Sequence, residues 1–274
     1  MLREMGLAPL WRLRSHAPHE ILPCDTAADT EPDQTPTMAP EHANARDVRH
    51  VREDVPRDAP KQDAGISIPP ATIGADLDQR ERTSRIADMG WDALEAEIRV
   101  CEACALCRQR KQAVPGVGDR QADWMFVGEG PGAEEDRRGE PFVGPAGKLL
   151  DAMLAAIGLR RDQNVYIANA VKCRPPHNRT PEADEIAACH PYLERQIGLV
   201  RPKLLIALGR PAAQALLGTE IKINTARGKI FDHAGIPVVV TYHPAYLLRN
   251  PGDKAKVWED LCFARAAAAG QVSL

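Results

Sequence analysis

Four short apolar runs mark the second half of the chain. They are WMFVG at 124–128, NVYIANAV at 164–171, KLLIALG at 203–209 and PVVVTYH at 237–243. Apolar residues are nearly continuous in each run instead of alternating with polar ones, which is typical of strands buried on both faces of a sheet. The pattern therefore predicts four buried strands.

Helical patterns follow the first three runs and close the chain. The first begins at Pro145, since proline suits the first helical turn. The second is expected to begin with Thr180 as N-cap and Pro181 at the first helical position. The third is expected to end at Gly218, and the last to cover about Asp253–Ala268. Strands alternating with helices predict an α/β fold, a parallel sheet sandwiched between helices.

The N-terminal part of the chain shows neither periodicity. Residues 15–80 are rich in Pro, Asp, Ala and Thr and hold few large apolar side chains. Such a segment buries too little apolar surface to offset its ordering entropy. We therefore expect a mostly disordered tail over residues 1–85 and a folded domain over 86–274. A spacer role is favoured for the tail, and no partner for it is indicated.

Charge and hydropathy narrow the protein class. The formal net charge is −3, so nucleic-acid binding would need a local basic stripe. No apolar stretch approaches the roughly 18 residues that span a bilayer. Pro9 and Arg12 interrupt the apolar character of the N-terminus, which argues against a secretory signal. We expect a soluble intracellular protein.

Seven cysteines occur, at positions 24, 101, 104, 107, 173, 189 and 262. An odd number in an intracellular chain favours metal binding or burial over disulfides. Cys101 and Cys104 form a CxxC pair, which by itself arises often by chance. Cys173 and Cys189 come from separate elements rather than from a second CxxC, so an iron–sulfur cluster is favoured over zinc. Cys107 is either a further ligand or simply buried.

The loop GEGPGAEED at 128–136 invites a nucleotide interpretation. It matches a loose dinucleotide fingerprint, but Pro131 and the polar residues after it argue against the helix that this fingerprint requires. The nearby GPAGKLL fails the phosphate-loop pattern, because Leu149 stands where Ser or Thr would hold magnesium. Glu134 and Asp136 are expected to be solvated loop residues.

A planar nucleobase suits the loops better than a phosphate does. Phe142 offers a stacking face, Asn169 a donor and an acceptor in fixed geometry, and glycine backbone allows close approach. Core packing is the alternative for Phe142, and a strand-end turn is the alternative for Asn169. His243, in HPAYLLRNP, is placed to stabilise charge on a leaving base, although a single histidine is more often structural.

Two loops suggest DNA contacts. Leu247 and Leu248 beside Arg249 are typical of wedges that prop open a base stack next to a phosphate-binding arginine, with core packing as the alternative. The loop VKCRPPHNR supplies three basic residues for phosphates, or else is simply solvated: Lys172, Arg174 and Arg179.

The motifs GEGPGAEED, GEPFVGPAG, VYIANAVKCRPPHNR and HPAYLLRNP resemble, in order and spacing, those of the family 4 uracil-DNA glycosylases. This is the iron–sulfur branch of the uracil-DNA glycosylase superfamily, and the resemblance covers about residues 98–263. It implies a three-layer α/β/α fold around a four-stranded parallel sheet. It also implies a structural [4Fe–4S] cluster, whose ligands would be Cys101, Cys104, Cys173 and Cys189.

The resemblance further implies the activity and the residues that perform it. A monofunctional DNA glycosylase would flip uracil out of DNA and hydrolyse its N-glycosidic bond, initiating base excision repair. Gly128, Glu129 and Gly130 would line the uracil pocket, with Phe142 stacking on the base, Asn169 reading it and His243 facing the leaving oxygen. Glu135 and Asn178 would form a supporting hydrogen-bond network.

One position departs from the best-known branch of the superfamily. That branch activates water with an Asp two residues after the first glycine, where this chain has Gly130. Glu129 is the nearest carboxylate and is our expected general base. The loop with His177 has the ordinary family 4 length, so the covalent trapping of another branch is not expected.

Two alternatives stay open on the sequence alone. One is an iron–sulfur protein that binds or traps uracil or damaged DNA without cleaving it, and the other is an electron-transfer protein. For the favoured glycosylase we expect uracil-containing DNA as partner, a monomer, no membrane contact, and a cytoplasmic, nucleoid-associated location of bacterial type. The sequence does not indicate a preference for single- or double-stranded DNA.

Overall fold

The computed structural model of the protein describes residues 71–271, with side chains from Leu77 onward. Residues 1–70, most of the expected disordered tail, lie outside the described residues. No helix in the described part combines the length and the apolar character needed to cross a lipid bilayer.

One mixed sheet of six strands lies at the centre. The strands are β1 Val117–Gly118, β2 Trp124–Gly128, β3 Val165–Asn169, β4 Leu204–Leu208, β5 Ile230–His233 and β6 Ile236–Thr241. Their order is β1-β3-β2-β4-β6-β5; the inner four run parallel, while β1 and β5 pair antiparallel at the edges. The α/β class and the four apolar runs are confirmed, but a sheet of only four strands is wrong. The edge strands escaped notice because β1 has two residues and β5 is only partly buried.

Helices cover both faces of this sheet. They are α1 Ala71–Ala87, α2 Trp91–Val100, α3 Ala133–Arg138, α4 Pro145–Ala156, α5 Ala183–Val200, α6 Arg210–Leu217, α7 Ile223–Ala226, α8 Pro244–Arg249 and α9 Lys254–Ala268. Short 3-10 turns lie at Ala105–Arg108, Pro176–Asn178 and Pro251–Asp253. The expected start at Pro145 and the expected end at Gly218 are confirmed, the latter as a left-handed cap with φ 64°.

Alternate residues along a strand pack into two separate hydrophobic cores. Met125 and Val127 of β2 pack under α5 and α6, whereas Phe126 packs under α4 and α9. All five residues of β2, β3 and β4 are buried, which explains why their apolar character is continuous. The carboxyl ends of the four parallel strands therefore meet along one edge, where ligands bind in such sheets.

Helix α5 begins two residues later than expected. Its N-cap is Glu182, not Thr180, and Pro181 lies outside the helix. The side chain of Glu185 accepts a hydrogen bond from the main-chain N–H of Glu182 at 2.8 Å and completes a capping box. This reciprocal cap satisfies more orphan donors than a lone threonine hydroxyl would.

Helix α1 extends into the segment that we assigned to the tail. It spans Ala71–Ala87, so the expected boundary at residue 86 falls inside a helix. The helix is attached by an apolar and a polar contact. Ile86 is fully buried in a cluster with Leu94 and Ile98. The Arg82 guanidinium donates to the carbonyl of Ala188 at 3.0 Å and lies 4.8 Å from the ring centroid of Tyr192. Hydrophobic periodicity does not reveal the contacts of Arg82.

Helix α3 corrects a second expectation. We expected no helix after Pro131, yet Ala133–Arg138 form one that ends at Gly139. Acidic residues in its first turn suit the positive end of the helix dipole. Asp136, which we expected to be solvated, is 2% exposed and accepts a hydrogen bond from the main-chain N–H of Lys111 at 2.8 Å. The buried side chain of Asp136 thus fixes the loop against the segment that contains Lys111.

Candidate active site

A cavity of about 600 Å³ opens where the four parallel strands end. The residues that follow these strands contribute to its wall: Glu129 after β2, Asn169 at the end of β3, Arg210 after β4 and His243 after β6. The expected pocket residues Gly130, Glu135, Phe142 and Asn178 also line it. The fold therefore brings residues from distant parts of the sequence to one site.

Phe142 forms one wall in a left-handed backbone conformation. Its φ is 55°, and its ring centroid lies 5.4 Å from that of His243. The guanidinium of Arg161 donates to the carbonyl of Phe142 at 2.8 Å and is itself held by Asp151 at 2.8 Å. A Cβ atom on Gly147 would overlap the carbonyl of Phe142. These contacts maintain a conformation that an L-residue rarely adopts.

Gly128 stands where three parts of the site meet. A Cβ atom there would lie 2.6 Å from the Phe142 ring and would overlap Oδ1 of Asn169. A Cβ atom on Gly130 would come within 2.8 Å of the Val171 side chain. Glycine is required at Gly128 because the stacking ring and the amide approach the backbone too closely for any side chain.

Asn169 presents an unpaired acceptor. The residue is 2% exposed, and its buried Oδ1 has no hydrogen-bond partner among the described residues. Leaving a buried acceptor unsatisfied costs about 1–3 kcal/mol. This acceptor is therefore available to an N–H group of a bound molecule.

His243 is held as a neutral hydrogen-bond donor. It is the N-cap of α8, and its Nδ1 accepts a hydrogen bond from the main-chain N–H of Ala245 at 3.1 Å. The proton of the neutral ring is consequently on Nε2. Burial first and the charge of Arg249 second lower the pKa of His243 to about 4, against an opposing effect of Glu135.

Glu129 combines burial with polar neighbours. Burial raises the pKa of its carboxyl group, while a hydrogen bond to Thr180 and the charges of Arg210 and Arg249 oppose the rise. The sequence did not single out Thr180 or Arg210 as site residues. Arg210 was detectable in principle, because it directly follows the third predicted strand.

Glu135 and Asn178 line the cavity but engage different partners. Oε1 of Glu135 accepts from the main-chain N–H groups of Val143 and Gly144 at 2.9 and 3.0 Å, which braces the segment after Phe142. Oδ1 of Asn178 accepts from Nε of Arg174 at 2.7 Å. No hydrogen bond joins Glu135 to Asn178 in the part of the chain that the structure describes, so the expected network is two separate contacts.

Five cysteines line a second, small cavity. Cys101, Cys104 and Cys107 follow α2, Cys173 follows β3, and Cys189 is in α5. All five are free thiols.

Donors from three elements reach the sulfur atoms of this second cavity. Arg110 donates to Sγ of Cys173 at 3.0 Å, and the main-chain N–H of Lys172 donates to Sγ of Cys189 at 3.2 Å. Arg82 lies 3.8 Å from Sγ of Cys101. The sequence did not single out Arg82 or Arg110, because both lie outside the motif-bearing loops.

Comparisons with known proteins identify the family of the chain. Residues 115–262 match the family model of the uracil DNA glycosylase superfamily. A type-4 uracil-DNA glycosylase of Pyrobaculum aerophilum is 45% identical over 181 residues, which cover 63% of this chain and 92% of the relative. One of Thermotoga maritima is 43% identical over 174 residues, 62% of this chain and 90% of the relative. The chain belongs to the family 4 uracil-DNA glycosylases.

Family 4 proteins carry an iron–sulfur cluster, and the cysteine cavity suits one. Among the described residues, no three His, Cys, Asp or Glu side chains are grouped tightly enough to hold a single ion. A cluster spreads its ligands over several irons, so its cysteines stand farther apart than the ligands of one metal ion. Burial raises the pKa of Cys173 to about 11 and that of Cys189 to about 12. Without a metal, these two thiols stay protonated at neutral pH.

A buried lysine supports the same conclusion. Lys172 is 1% exposed, and its ammonium forms no ion pair with an Asp or Glu among the described residues. Burial lowers its pKa to about 8, whereas Cys189 and Cys173 raise it. An anionic cluster held by these cysteines would compensate the lysine charge.

Burial excludes two of the expected DNA contacts of this family 4 protein. Lys172 is enclosed in the core, so it does not reach a phosphate, and Leu247 is 1% exposed and packs under the sheet, so it is not a wedge. Leu248 is 45% exposed and remains the candidate wedge, and it lies next to the exposed Arg249. Arg179 is engaged by Glu185 at 2.7 and 2.8 Å, which leaves it partly neutralised.

Proposed function

We propose that this protein is a monofunctional DNA glycosylase that flips uracil out of DNA and hydrolyses its N-glycosidic bond, initiating base excision repair. The observation that carries the proposal is the unpaired, buried Oδ1 of Asn169 beside the ring of Phe142. An amide acceptor next to an aromatic face matches the N3–H of a uracil stacked on that face. The type-4 uracil-DNA glycosylases among its relatives support the same activity.

Binding and reading of the base fall to three residues. The uracil ring stacks on Phe142, which is worth about 1–3 kcal/mol per base. Gly128 lets the Phe142 ring and the Asn169 amide approach its backbone closely, so that both can face the same base. Asn169 pairs with the edge of the pyrimidine.

The bond that breaks joins C1′ of the sugar to N1 of uracil. The electron pair leaves with the base, and Nε2–H of His243 donates to the oxygen on which the negative charge develops. A neutral imidazole suits this role, since its pKa of about 4 keeps the ring uncharged at neutral pH. Glu129 orients a water molecule toward C1′ and accepts its proton, so the products are free uracil and an abasic site.

Hydrolysis is favoured over a lyase or trapping reaction. No lysine lines the described part of the cavity, so there is no amine for a Schiff base. The alternative of a protein that binds uracil DNA without cleaving it is not favoured, because the relatives are named as glycosylases and Glu129 lines the cavity.

We assign a structural [4Fe–4S] cluster to Cys101, Cys104, Cys173 and Cys189. These cysteines would hold the cluster between the segment after α2, the loop after β3 and α5, and it would supply negative charge to a buried part of the core. Cys107 shares the cavity and stays outside this ligand set. We propose that the protein acts as a monomer on nucleoid DNA. Its proposed DNA contacts are Arg174, Arg179, Arg249 and Leu248.

The activity is tested with uracil-containing oligonucleotides, single- and double-stranded, followed by alkali to reveal abasic sites. Wild-type protein with an intact cluster should create alkali-labile sites, while Glu129→Gln should slow their formation by about 10²–10⁴-fold and still bind the DNA. Equal binding by both proteins without cleavage by either would support the binding-module alternative and contradict the proposal.

A further inference from the structure

Lys172 holds the strand end that carries Asn169. Its ammonium group donates to the main-chain carbonyl of Asn169 at 2.7 Å and to Oε1 of Gln196 at 2.6 Å. Gln196 is itself fixed, since its amide donates to the carbonyl of Pro115 at 2.8 Å. The lysine side chain therefore connects the last residue of β3 to a fully buried side chain of α5.

The same residue touches the cysteine cavity through its backbone. Its main-chain N–H donates to Sγ of Cys189 at 3.2 Å, and the next residue is Cys173. Its carbonyl accepts from the N–H of Val114 at 2.8 Å, which fixes the peptide from the other side. Lys172 is thus the residue at which the cysteine cavity and the base pocket meet.

The position of the Asn169 amide depends on such a support. Its Oδ1 has no partner in the described part of the protein, so no side-chain hydrogen bond to that atom orients the amide before a base binds. After the paired residues, the main-chain N–H groups of Ala170 and Val171 donate to the carbonyls of Gly128 and Glu129. The carbonyl of Asn169 itself accepts from the ammonium of Lys172, so this bond supports the residue that carries the amide.

The lysine side chain is confined to this position. It is 1% exposed, and among the described residues its ammonium donates to the carbonyl of Asn169 and to Oε1 of Gln196. Solvent and DNA phosphates do not compete for it, because the side chain is enclosed.

We propose that Lys172 is a positioning residue that couples the cysteine centre to uracil recognition. The cysteine centre fixes the main chain of Lys172, its ammonium holds the carbonyl of Asn169, and the amide is thereby aimed at the base. The inference rests on the proposed function. It gives the cluster a part in reading the base, in addition to holding the loop after β3.

The test is a double-mutant cycle between Lys172→Met and Asn169→Ala in the cluster-loaded protein. Three quantities are measured: visible absorbance of the cluster, single-turnover uracil release, and affinity for an oligonucleotide with non-cleavable 2′-fluoro-deoxyuridine. Lys203→Met is the matched control, because Lys203 is 72% exposed and pairs with Asp123 at the surface.

Lys172→Met should keep the cluster absorbance but lose about tenfold or more in uracil release and in affinity for the analogue. Lys203→Met should stay within about twofold of wild type. The double variant should be no slower than Asn169→Ala alone, since both changes act on the same recognition element, the Asn169 amide.

Two results would overturn the coupling. One is a cluster-loaded Lys172→Met with wild-type release and affinity, and the other is a double variant whose losses multiply. If wild-type protein releases no uracil, the proposed function fails, and analogue affinity still decides the coupling. Should Lys172→Met not fold, Gln196→Leu removes one acceptor of the ammonium and must show the same non-additivity with Asn169→Ala.

Discussion

The Nδ1 atom of His243 accepts a hydrogen bond from the main-chain N–H of Ala245 at 3.1 Å. This contact places the proton of the neutral ring on Nε2, the nitrogen free to meet a leaving oxygen. The ring carries no positive charge at neutral pH, because burial and Arg249 hold the pKa of His243 at about 4. The form that donates is therefore the one already present at neutral pH.

The pH profile of uracil release follows from His243 and Glu129. Release should stay constant across the ordinary histidine range near pH 6.5, because His243 is neutral there. It should fall as the pH drops through the raised pKa of Glu129, since only the carboxylate accepts a proton. Single-turnover rates from about pH 5 to about pH 9 check this. Glu129→Gln should remove the acid limb; a limb near pH 6.5 that requires a protonated group would contradict a neutral histidine.

Gly147→Ala should disable the stacking wall. A new methyl group would overlap the carbonyl of Phe142 and displace the ring, so we expect uracil release to fall by about 100-fold. Gly198→Ala is the matched control, because it also lies inside a helix but meets nothing within 4 Å. It should retain activity and add up to about 1 kcal/mol of stability. Equal rates for the two variants would show that Phe142 does not stack on the base.

Leu247 and Leu248 are adjacent but should behave differently. Leu247→Ala leaves a cavity in the core and should lower the free energy of unfolding by about 2–5 kcal/mol. Leu248→Ala should leave stability unchanged and slow release from double-stranded more than from single-stranded DNA, because a wedge assists only where a stack must be opened. Denaturant unfolding and paired substrates measure both effects. A Leu248→Ala variant equally active on both substrates would exclude the wedge.

The cysteine assignment is tested by serine substitutions. Cys173→Ser and Cys189→Ser should lose iron and visible absorbance and lower the melting temperature, because each removes one thiolate ligand. Cys107→Ser should retain the cluster, and Cys262→Ser, which changes a cysteine of α9, serves as the remote control. Iron content close to wild type in Cys189→Ser would show that the ligand set is wrong.

The sequence revealed the parts of the fold that depend on burial. Strands β2, β3, β4 and β6 are buried on both faces or nearly so, and they gave continuous apolar runs. Proline and glycine marked helix ends at Pro145 and Gly218 because their backbone preferences are local. Elements that depend on polar or long-range contacts were missed, as the helix attached through Arg82 and the capping box of Glu182 illustrate.

The site residues also divide into those that the sequence indicated correctly and those that it could not. Residue type and motif position indicated Phe142, Asn169 and His243, which the fold brings to one cavity. The direction of a side chain was not available from motif position, so a lysine in a basic loop was taken as a DNA contact although it is buried. For the same reason Leu247 and Leu248 could not be told apart, since which of two neighbours faces the core depends on packing against distant helices.

Direct identification of the products tests the central claim. Cluster-loaded protein is mixed in excess with an oligonucleotide that contains one uracil, and free base and DNA are quantified by mass spectrometry. We expect one free uracil for each abasic site, with a large loss of both in Asn169→Ala and no release from a matched thymine strand. Intact uracil DNA after incubation, or DNA attached covalently to the protein, would contradict it.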